Sequence, residues 1–346
     1  MSTEENGFET NEPAAMVNNA SVEQINQHGD NAAKAGDYVE AADWYQKSAE
    51  KGNAYGQVKL GRLFEYGDGV PQNIEKAVSL YRKAAEQGDV DGQYSLGNMY
   101  FGGTGVTEDY VEAAKWFREA AMNGNEDAQA ILGLLYENGI GVSKSYTDAV
   151  EWYRKAAEQG NASGQFCLGA LYEDGRGDIS QDYQEAIKWY LKAAEQDHPK
   201  AQIRLGELYS DGEGIPLDYV EAIKWYRKAA DQNVPQALVL LGLFYREGVG
   251  VSQDYSEAAK LYRKAAEQGD AEGQFALGEF LKQGKGLRQD YTEAIMWYRR
   301  AVEQDHEGAQ ESLNELCRVY KLCKYCGGSM SGLFAKKCTS CGRTAD

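Results

Sequence analysis

The sequence of 346 residues has no long apolar run, and none of the short apolar segments near its start could form a signal peptide. A membrane-spanning helix needs about 18 or more consecutive apolar residues. We therefore expect no contact with the membrane interior and predict a protein made in the cytosol, with the cytoplasm as its location. Secretion as an effector, by a route that uses other signals, stays open at this point.

Histidine is scarce too, with three copies, His28, His198 and His306. His198 and His306 stand in the similar segments EQDHPKA and EQDHEGA, so they belong to a repeated junction rather than to a catalytic set. No other arrangement of catalytic side chains is evident. The sequence predicts a protein without enzyme activity.

Positively charged residues are few: the sequence has 36 Lys and Arg and 54 Asp and Glu, which gives a net charge of −18. Nucleic acids and anionic membranes attract proteins that carry excess positive charge. We therefore expect the main body of the chain to bind neither. Acidic side chains on solvated helix faces explain most of this charge, and an acidic groove that selects a basic partner is the alternative.

Repetition is what the sequence has in abundance. A Leu-Gly pair recurs at intervals of 36 or 37 residues. A fixed period of this size indicates a stacked array of identical supersecondary units. The glycines are Gly61, Gly97, Gly133, Gly169, Gly206, Gly242 and Gly278.

Each unit encodes a helix, a glycine loop and a second helix. In the unit at 128–160, an apolar run at helical spacing breaks at Gly139 and Gly141, and a second run follows. The second run commonly starts with Asp-x-x-Glu, as at Asp109 to Glu112, which fits a capping box. Glycine just past its end, or Asp197 and Asn233 in two units, suits a left-handed C-cap.

The Leu-Gly glycine predicts a close approach between the two helices of a unit, where an aromatic pair on the second helix fills the remaining space. One unit cannot bury such aromatics alone, so neighbouring units must stack. The pairs are Trp116–Phe117, Trp152–Tyr153, Trp189–Tyr190, Trp225–Tyr226 and Trp297–Tyr298.

The combined motif, L-G-x-x-Y-x-x-G-x-G-V followed by Y-x-E-A-x-K-W-Y-R-K-A-A-E-Q-G, resembles the Sel-one-like repeat. That family is related to the tetratricopeptide repeat, whose period is about 34 residues. Departures are small: Phe64 and Leu281 replace the usual tyrosine, and Leu80 and Leu261 the usual tryptophan. The resemblance implies an all-α protein, a right-handed α-solenoid of helix-loop-helix repeats that works as a scaffold or adaptor.

The chain divides into five parts on this interpretation. Residues 1–20 form a disordered acidic leader, and residues 21–53 a tetratricopeptide-like helix pair that caps the array. Seven Sel-one-like repeats fill residues 54–307. Residues 308–320 form a closing helix, and residues 321–346 a tail that resembles a zinc ribbon.

The tail contains two C-x-x-C-G motifs. Two residues between cysteines let both thiolates bind one tetrahedral zinc ion, so we predict one structural Zn²⁺. A disulfide pair and a redox C-x-x-C lack the secretory and βαβ contexts that they need. The tail is locally basic, so nucleic acid is its alternative partner, whereas docking to protein or a purely structural role is favoured. The predicted ligands are Cys323, Cys326, Cys338 and Cys341.

Comparison of the repeats with one another predicts a partner-binding surface. With the Leu-Gly glycine as position 0, the first helix keeps positions −4, −1, +2 and +3 and varies −6, −2, +1, +4 and +5. At roughly 100° per residue the variable positions share one arc, which we expect to face away from the neighbouring helices. The candidates are Arg62, Asn98, Phe101, Ile131, Leu134, Ala170, Glu207, Leu240, Leu243 and Glu279.

An exposed apolar pair where other copies are charged indicates a docking site. Ile131 with Leu134, and Leu240 with Leu243, fit that description. Packing of these side chains on an adjacent repeat is the competing explanation. The predicted function is therefore a non-enzymatic adaptor that binds a protein or peptide in the concave face. The alternative is an effector-type or nucleic-acid-associated protein that acts through the basic tail.

Overall fold

The computed structural model describes residues 20–176, 179–320 and Tyr325, and within these residues it is all-helical, with 17 α-helices and no strand. The helices are α1 Val22–Lys34, α2 Tyr38–Glu50, α3 Ala54–Tyr66, α4 Ile74–Glu86, α5 Val90–Gly102, α6 Tyr110–Met122, α7 Glu126–Asn138, α8 Tyr146–Gln159, α9 Ala162–Asp174, α10 Tyr183–Glu195, α11 Pro199–Asp211, α12 Tyr219–Asp231, α13 Pro235–Glu247, α14 Tyr255–Glu267, α15 Ala271–Gln283, α16 Tyr291–Val302 and α17 Ala309–Tyr320.

The helices group into two compact units, residues 1–164 with 177–179 and residues 165–176 with 180–346. Within each unit consecutive helices pack on one another, and α9 meets α10 where Gly169 faces the Tyr190 ring. First helices of neighbouring repeats also touch directly, α3 with α5 in the first unit and α13 with α15 in the second. Each unit is thus a layered stack of helix pairs, with the first helices side by side.

The Leu-Gly glycine lies at a close approach between the two helices of each pair, as predicted. A Cβ at Gly133 would lie 2.6 Å from the ring of Tyr153, which is fully buried. The second residue of each aromatic pair therefore fills the space against the glycine. Gly29 makes the same contact with Tyr45, also at 2.6 Å, so the N-terminal helix pair packs as the later ones do.

Helix starts follow the predicted caps in part. The Ser21 to Gln24 capping box forms with both hydrogen bonds. At Asp109 only half of the predicted box forms: its carboxylate accepts from the Glu112 N–H, but its own N–H donates to the Tyr100 carbonyl at 3.0 Å. Because that N–H is occupied, the Glu112 side chain turns to Lys115 instead. The geometry of the preceding loop, which the sequence pattern does not specify, therefore decides whether the capping box is complete.

Second helices end as predicted, in the left-handed region. Gly160 has φ 104°, and Asp197 and Asn233 adopt φ 61° and 59°. Asp305, with φ 56°, is a third non-glycine residue of this kind. Short polar side chains tolerate this conformation better than bulky ones.

A row of buried glutamines links the two ends of each repeat. Gln57, at position −4, accepts from the Gln87 amide at 2.8 Å, and Gln129 accepts from Gln159 at 2.7 Å. Gln57 and Gln129 are buried, so each bond from the exposed partner satisfies a polar group that would be costly to bury alone. Leu238 interrupts the row. The buried members are Gln57, Gln93, Gln129, Gln165, Gln202 and Gln274.

Neighbouring repeats are tied by the arginine that follows the buried aromatic residue of the second helix. Arg82 donates to the Tyr100 hydroxyl at 2.9 Å, and its guanidinium lies 5.6 Å from that ring's centroid. Arg118 does the same to Tyr136, at 2.8 Å and 5.9 Å. The tyrosine stands at position +3 of the following first helix.

The arginine at this position binds a different partner where the sequence departs from the motif. Arg227 donates to Tyr245 at 2.8 Å, as in the first unit. In the next repeat the tyrosine is replaced by Leu281, and Arg263 pairs with Glu293 at 2.7 Å instead. This arginine position therefore reaches forward to the following repeat whether or not a tyrosine is present.

One helix cap carries a pH dependence. His198 Nδ1 accepts from the Ala201 N–H at 3.3 Å and the ring stacks on Phe166 with centroids 5.0 Å apart. Burial, and then the charge of Lys200, lower the pKa of His198 from its usual 6.5. The unfolded chain therefore binds the proton more readily than the folded one, and stability decreases as the pH falls below 6.5.

We expect His198→Asn to remove this contribution to the pH dependence of the free energy of unfolding, because Asn caps the equivalent helix at Asn125 and does not titrate. Urea unfolding at about pH 7 and about pH 5.5 measures, for both proteins, how steeply the free energy of unfolding depends on pH. A variant that keeps the full wild-type slope would show that the cap does not titrate. Asn125→Ala serves as the control, since it removes a cap of about 1 kcal/mol without changing the slope.

Candidate functional site

The first-helix face, defined here as positions −6, −2, +1 and +5 of the first helices, holds nine of the ten predicted contact residues, and the tenth, Phe101, stands at +4. None of the ten predicted contact residues is buried. Arg62, Asn98 and Leu134 are exposed. The other seven are half-buried, namely Phe101, Ile131, Ala170, Glu207, Leu240, Leu243 and Glu279.

In the first unit this face contains a groove with a volume of about 310 Å³. Arg62 of α3 and Asn98 of α5, both predicted contact residues, line it. Its far end is formed by Asp127 near the start of α7. The first helices of three consecutive repeats thus contribute to one surface, as expected if equivalent positions of stacked helices face the same way.

The groove carries charges of both signs. Lys59 and Arg62 bring two positive charges, against the carboxylates of Glu65, Asp91 and Asp127. The Lys59 ammonium lies 5.0 Å from the centroid of the Tyr55 ring. The groove is therefore mixed in charge rather than acidic, unlike the chain as a whole.

Sequence reasoning named Arg62 and Asn98 but passed over most of the groove lining. Asp91 and Asp127 stand at the variable position −6, Ser95 at −2 and Tyr66 at +5. The comparison of repeats had marked all three positions as variable. Position −2 was already part of the prediction, whereas the variable positions −6 and +5 were left out of the list of contact residues.

Position +4 does not face away from the neighbouring helices, contrary to the sequence prediction. Glu65 accepts from the Tyr81 hydroxyl at 2.6 Å, and Glu137 from Tyr153 at 2.8 Å. The hydroxyl of a buried tyrosine needs a partner, and a carboxylate one turn beyond the glycine reaches it. In these repeats the residue at +4 therefore serves the paired second helix, whereas Arg246 and Lys282 stand at +4 opposite tyrosines without offering a carboxylate.

Phe101 is an apolar example of the same contact. It stands at +4 in the repeat where Phe117 replaces the usual tyrosine, and the two rings lie 6.4 Å apart in an edge-to-face arrangement. A second edge contact joins Phe101 to Tyr110 at 5.4 Å. A phenylalanine has no hydroxyl to satisfy, so an apolar partner replaces the glutamate.

The apolar candidates differ in how much of each side chain packs on the hydrophobic core. Ile131 and Leu240, at position −2, pack against the hydrophobic core of their own unit. Leu134, at +1, keeps 41% of its surface exposed, and Leu243 is half-buried at the same position. Packing on the core thus accounts for much of the −2 pair, whereas Leu134 presents its side chain to solvent.

In the second unit, Arg204 organises a cluster of carboxylates. Its Nε donates to Glu173 at 2.9 Å and its Nη1 to the predicted contact residue Glu207 at 2.9 Å. Glu173 also accepts from the buried Tyr190 hydroxyl at 2.6 Å. Burial on its own would raise the pKa of Glu173, but the bonds from Arg204 and Tyr190 and the arginine charge outweigh it and lower the pKa.

Glu279 combines a role in packing with a place on the surface. It accepts from the Tyr298 hydroxyl at 2.5 Å and pairs with Lys282 at 3.0 Å. It also lines a second groove, of about 300 Å³, together with Arg246 and Tyr255. Both units therefore carry a groove on the first-helix side.

The predicted zinc ligands, Cys323, Cys326, Cys338 and Cys341, lie outside the described residues. Among the residues that the structure does describe, no group of His, Cys, Asp and Glu side chains could hold a metal ion. The same residues include no helix that is long and apolar enough to span a membrane.

The family model described as Sel1 repeat matches residues 13–53, 54–89, 90–125, 126–161, 162–198, 199–234, 235–270 and 271–306. The chain belongs to the Sel1 repeat family. The match includes the first helix pair, which sequence reasoning had treated as a tetratricopeptide-like cap.

Two crystal structures of Sel1 repeat proteins resemble this one. The protective antigen c5321 of uropathogenic Escherichia coli is 38% identical over 88% of this chain, with a TM-score of 0.77, and this chain spans 65% of its length. A Sel1 repeat protein from Oxalobacter formigenes is 29% identical, with 91% of this chain and 98% of that one covered and a TM-score of 0.72. No curated protein matches the sequence significantly.

The family and these structures confirm the predicted repeat architecture, an all-α Sel1 solenoid. Sel1 repeats generally mediate contacts between proteins, and the family is typically non-enzymatic.

Proposed function

We propose that this Sel1 repeat protein is an adaptor that binds a protein or peptide segment on the first-helix face. The observation that carries the proposal is the groove formed by α3, α5 and the start of α7, where variable side chains of three repeats converge. The constant side chains of the same helices are used for packing. The variable side chains that line the groove are therefore free of the packing role and available for contact with a partner.

The groove's chemistry indicates the kind of segment that fits. Lys59 and Arg62 offer donors to carboxylates or carbonyls, and Asp91 and Asp127 accept from amides or cations. Farther along the same set of first helices, Leu134 adds an exposed apolar contact. An extended segment with an apolar anchor and charges of both signs matches this order. Aromatic and arginine contacts near the centre of such an interface supply most of the affinity.

We also propose that Cys323, Cys326, Cys338 and Cys341 bind one structural Zn²⁺, on the strength of their paired C-x-x-C spacing. The cytoplasm is the location we propose, since its reducing conditions keep such thiols available for metal. When bound, zinc would supply the folding energy that so short a segment cannot obtain from a hydrophobic core.

The test compares co-purified proteins from the native cell for two double variants. Leu134→Glu with Leu243→Glu places charges on the first-helix face. Val111→Glu with Val220→Glu places the same charges on second helices, where both valines are more than half exposed, 65% and 53%. A charge that a bound partner would cover costs far more binding free energy than a charge that stays in water.

We expect wild type and the valine variant to retain the same partner, whereas the leucine variant loses it by at least about tenfold in yield. Helical circular dichroism and a melting curve check that both variants fold. Loss of the partner from the valine variant alone would contradict the assignment of the binding face. Equal retention by all three proteins would do the same.

A further inference from the structure

The hydroxyl of the buried second-helix tyrosine normally finds its acceptor on the paired first helix. At position +4, Glu65, Glu137 and Glu173 accept a hydrogen bond from it. At position +1, Asp30 and Glu279 do so. A buried hydroxyl needs such a partner, and two positions of the repeat supply it.

Tyr262, on α14, departs from this arrangement. Its side chain is completely buried, and its hydroxyl has no hydrogen-bond partner among the described residues. Positions +1 and +4 of the paired helix α13 hold Leu243 and Arg246, neither of which offers an acceptor. Burial raises the pKa of Tyr262 to about 12, so the hydroxyl keeps its proton at neutral pH and remains a donor.

The groove of about 300 Å³ in the second unit borders this tyrosine. Phe280 lines the groove and packs edge-on against the Tyr262 ring, with centroids 5.0 Å apart. Arg246 lines the groove too, and its charge acts on the Tyr262 hydroxyl. The Arg246 side chain is long and 39% exposed, so rotation about its own bonds opens a path from the groove to the hydroxyl.

The carboxylates of this groove already have donors, whereas its donors lack acceptors. Glu279 accepts from the tyrosine of its own repeat, and Glu247 accepts from Nε of Arg246 at 2.6 Å. Both Nη groups of Arg246 are left without an acceptor in the described part of the chain. Lys285 lies 5.4 Å from the centroid of the Tyr255 ring and pairs with none of the described carboxylates.

We propose that this groove binds a carboxylate, which takes the place of the glutamate that stands at +4 in other repeats. The Tyr262 hydroxyl and the Nη groups of Arg246 donate to its oxygens, and Lys285 adds a second positive charge. Hydrogen bonds from a guanidinium to a carboxylate are among the strong ones, because both groups are charged. The inference stands on Tyr262 and its surroundings, and not on the groove of the first unit.

The chain contains an internal precedent for this pair of donors. Glu173 accepts from the Tyr190 hydroxyl at 2.6 Å and from Nε of Arg204 at 2.9 Å. A carboxylate from outside would meet the same two kinds of donor at Tyr262 and Arg246. An acidic side chain of a peptide and a small free carboxylate share this chemistry, and the experiment separates the two sources.

The experiment titrates the isotope-labelled full-length chain with capped Ala-Glu-Ala, with capped Ala-Gln-Ala and with acetate, at constant ionic strength, and follows the amide NMR signals. We expect the glutamate peptide to shift signals of α13 and α15 saturably. The glutamine peptide should bind about tenfold more weakly, because it lacks the charge. Acetate that produces the same shifts identifies small carboxylates as ligands, whereas a response to the glutamate peptide alone assigns the site to an acidic side chain.

Substitution of the tyrosine isolates the role of the hydroxyl. Tyr262→Phe should weaken binding of the carboxylate about tenfold. It removes no hydrogen bond within the described chain, so it should unfold in urea no earlier than wild type. Tyr153→Phe is the matched control. Because it takes the donor away from Glu137, it should unfold at a lower urea concentration and bind the carboxylate as wild type does.

A second substitution supplies the missing acceptor from within the chain. Arg246→Glu recreates the arrangement of Glu65 with Tyr81, so it should unfold at a higher urea concentration than Arg246→Ala. Its own carboxylate occupies the site, so the glutamate peptide should no longer bind. Addition of Tyr262→Phe should abolish the difference in stability between the two variants.

Failure of wild type to bind either acetate or the glutamate peptide saturably would overturn the inference. Equal affinity of wild type and Tyr262→Phe for the carboxylate that binds would do the same, as would equal affinity of wild type for the two peptides. A Tyr262→Phe protein that loses as much stability as Tyr153→Phe would show that the hydroxyl already has a partner, and would also overturn it. The adaptor proposal stands in each case, since it depends on the groove of the first unit.

Discussion

Gly97→Ala should destabilise the protein by about 1–3 kcal/mol, although alanine ordinarily favours a helix over glycine by up to about 1 kcal/mol. A Cβ at position 97 would lie 2.9 Å from the Phe117 ring, which is completely buried and cannot move aside. Overpacking thus outweighs helix propensity. Urea unfolding followed by circular dichroism measures the change in the free energy of unfolding.

Helix α5 provides its own control for this substitution. Gly102 lies in the same helix, is exposed, and has only the flexible Thr104 hydroxyl within contact range of an added Cβ. Gly102→Ala should therefore be neutral or stabilising, by up to about 1 kcal/mol. A Gly97→Ala protein as stable as Gly102→Ala would refute the close-approach explanation of the Leu-Gly motif. Addition of Phe117→Leu, which replaces the ring by a smaller aliphatic side chain, should recover part of the stability that Gly97→Ala loses.

Glu173→Gln should cost about 2 kcal/mol, because it removes the charge that Arg204 faces at the centre of its cluster. The glutamine can still accept from Tyr190, so the loss reports mainly on the ion pair. Arg204 keeps Glu207, which limits the cost. The difference in unfolding free energy between the variant and wild type is the measured quantity.

Glu65→Gln is the matched control, since Glu65 makes the same bond to the Tyr81 hydroxyl and should cost about 1 kcal/mol or less. The cost of Glu173→Gln should also depend on pH. The lowered pKa of Glu173 means that its contribution is complete above its usual value of 4.5 and is lost as the pH falls through the lowered value. Equal costs for the two variants at neutral pH would contradict the role assigned to Arg204.

The architecture could be predicted from sequence because its causes are local and repeated. The Leu-Gly glycine, the aromatic residue 20 or 21 positions later, and the turn glycines each occur once per unit, so one physical explanation was tested by seven copies. Gly133 against Tyr153 shows that the steric argument was right. Left-handed caps at Asp197 and Asn233 were predicted for the same reason.

The candidate site was only partly predictable, because its residues depend on partners that lie far apart in sequence. The glutamate at +4 varied between repeats, yet Glu65 bonds to Tyr81 and Phe101 packs on Phe117. A comparison of position +4 with the aromatic residue of the second helix gives only a partial signal, because Ser210, Arg246 and Lys282 also stand opposite tyrosines. The contact of Arg299 with Tyr325 had no such signal, since it joins a repeat to a segment outside the repeat pattern.

The most direct test of the central claim, that the first-helix face binds a protein partner, is site-specific photo-crosslinking in the native cell. A photoreactive residue is placed at Asn98 in the groove, at Leu134 on the neighbouring repeat, and at Val111 on a second helix. The account predicts the same crosslinked protein from positions 98 and 134 and none from position 111. A product from position 111, with none from the other two, would contradict it.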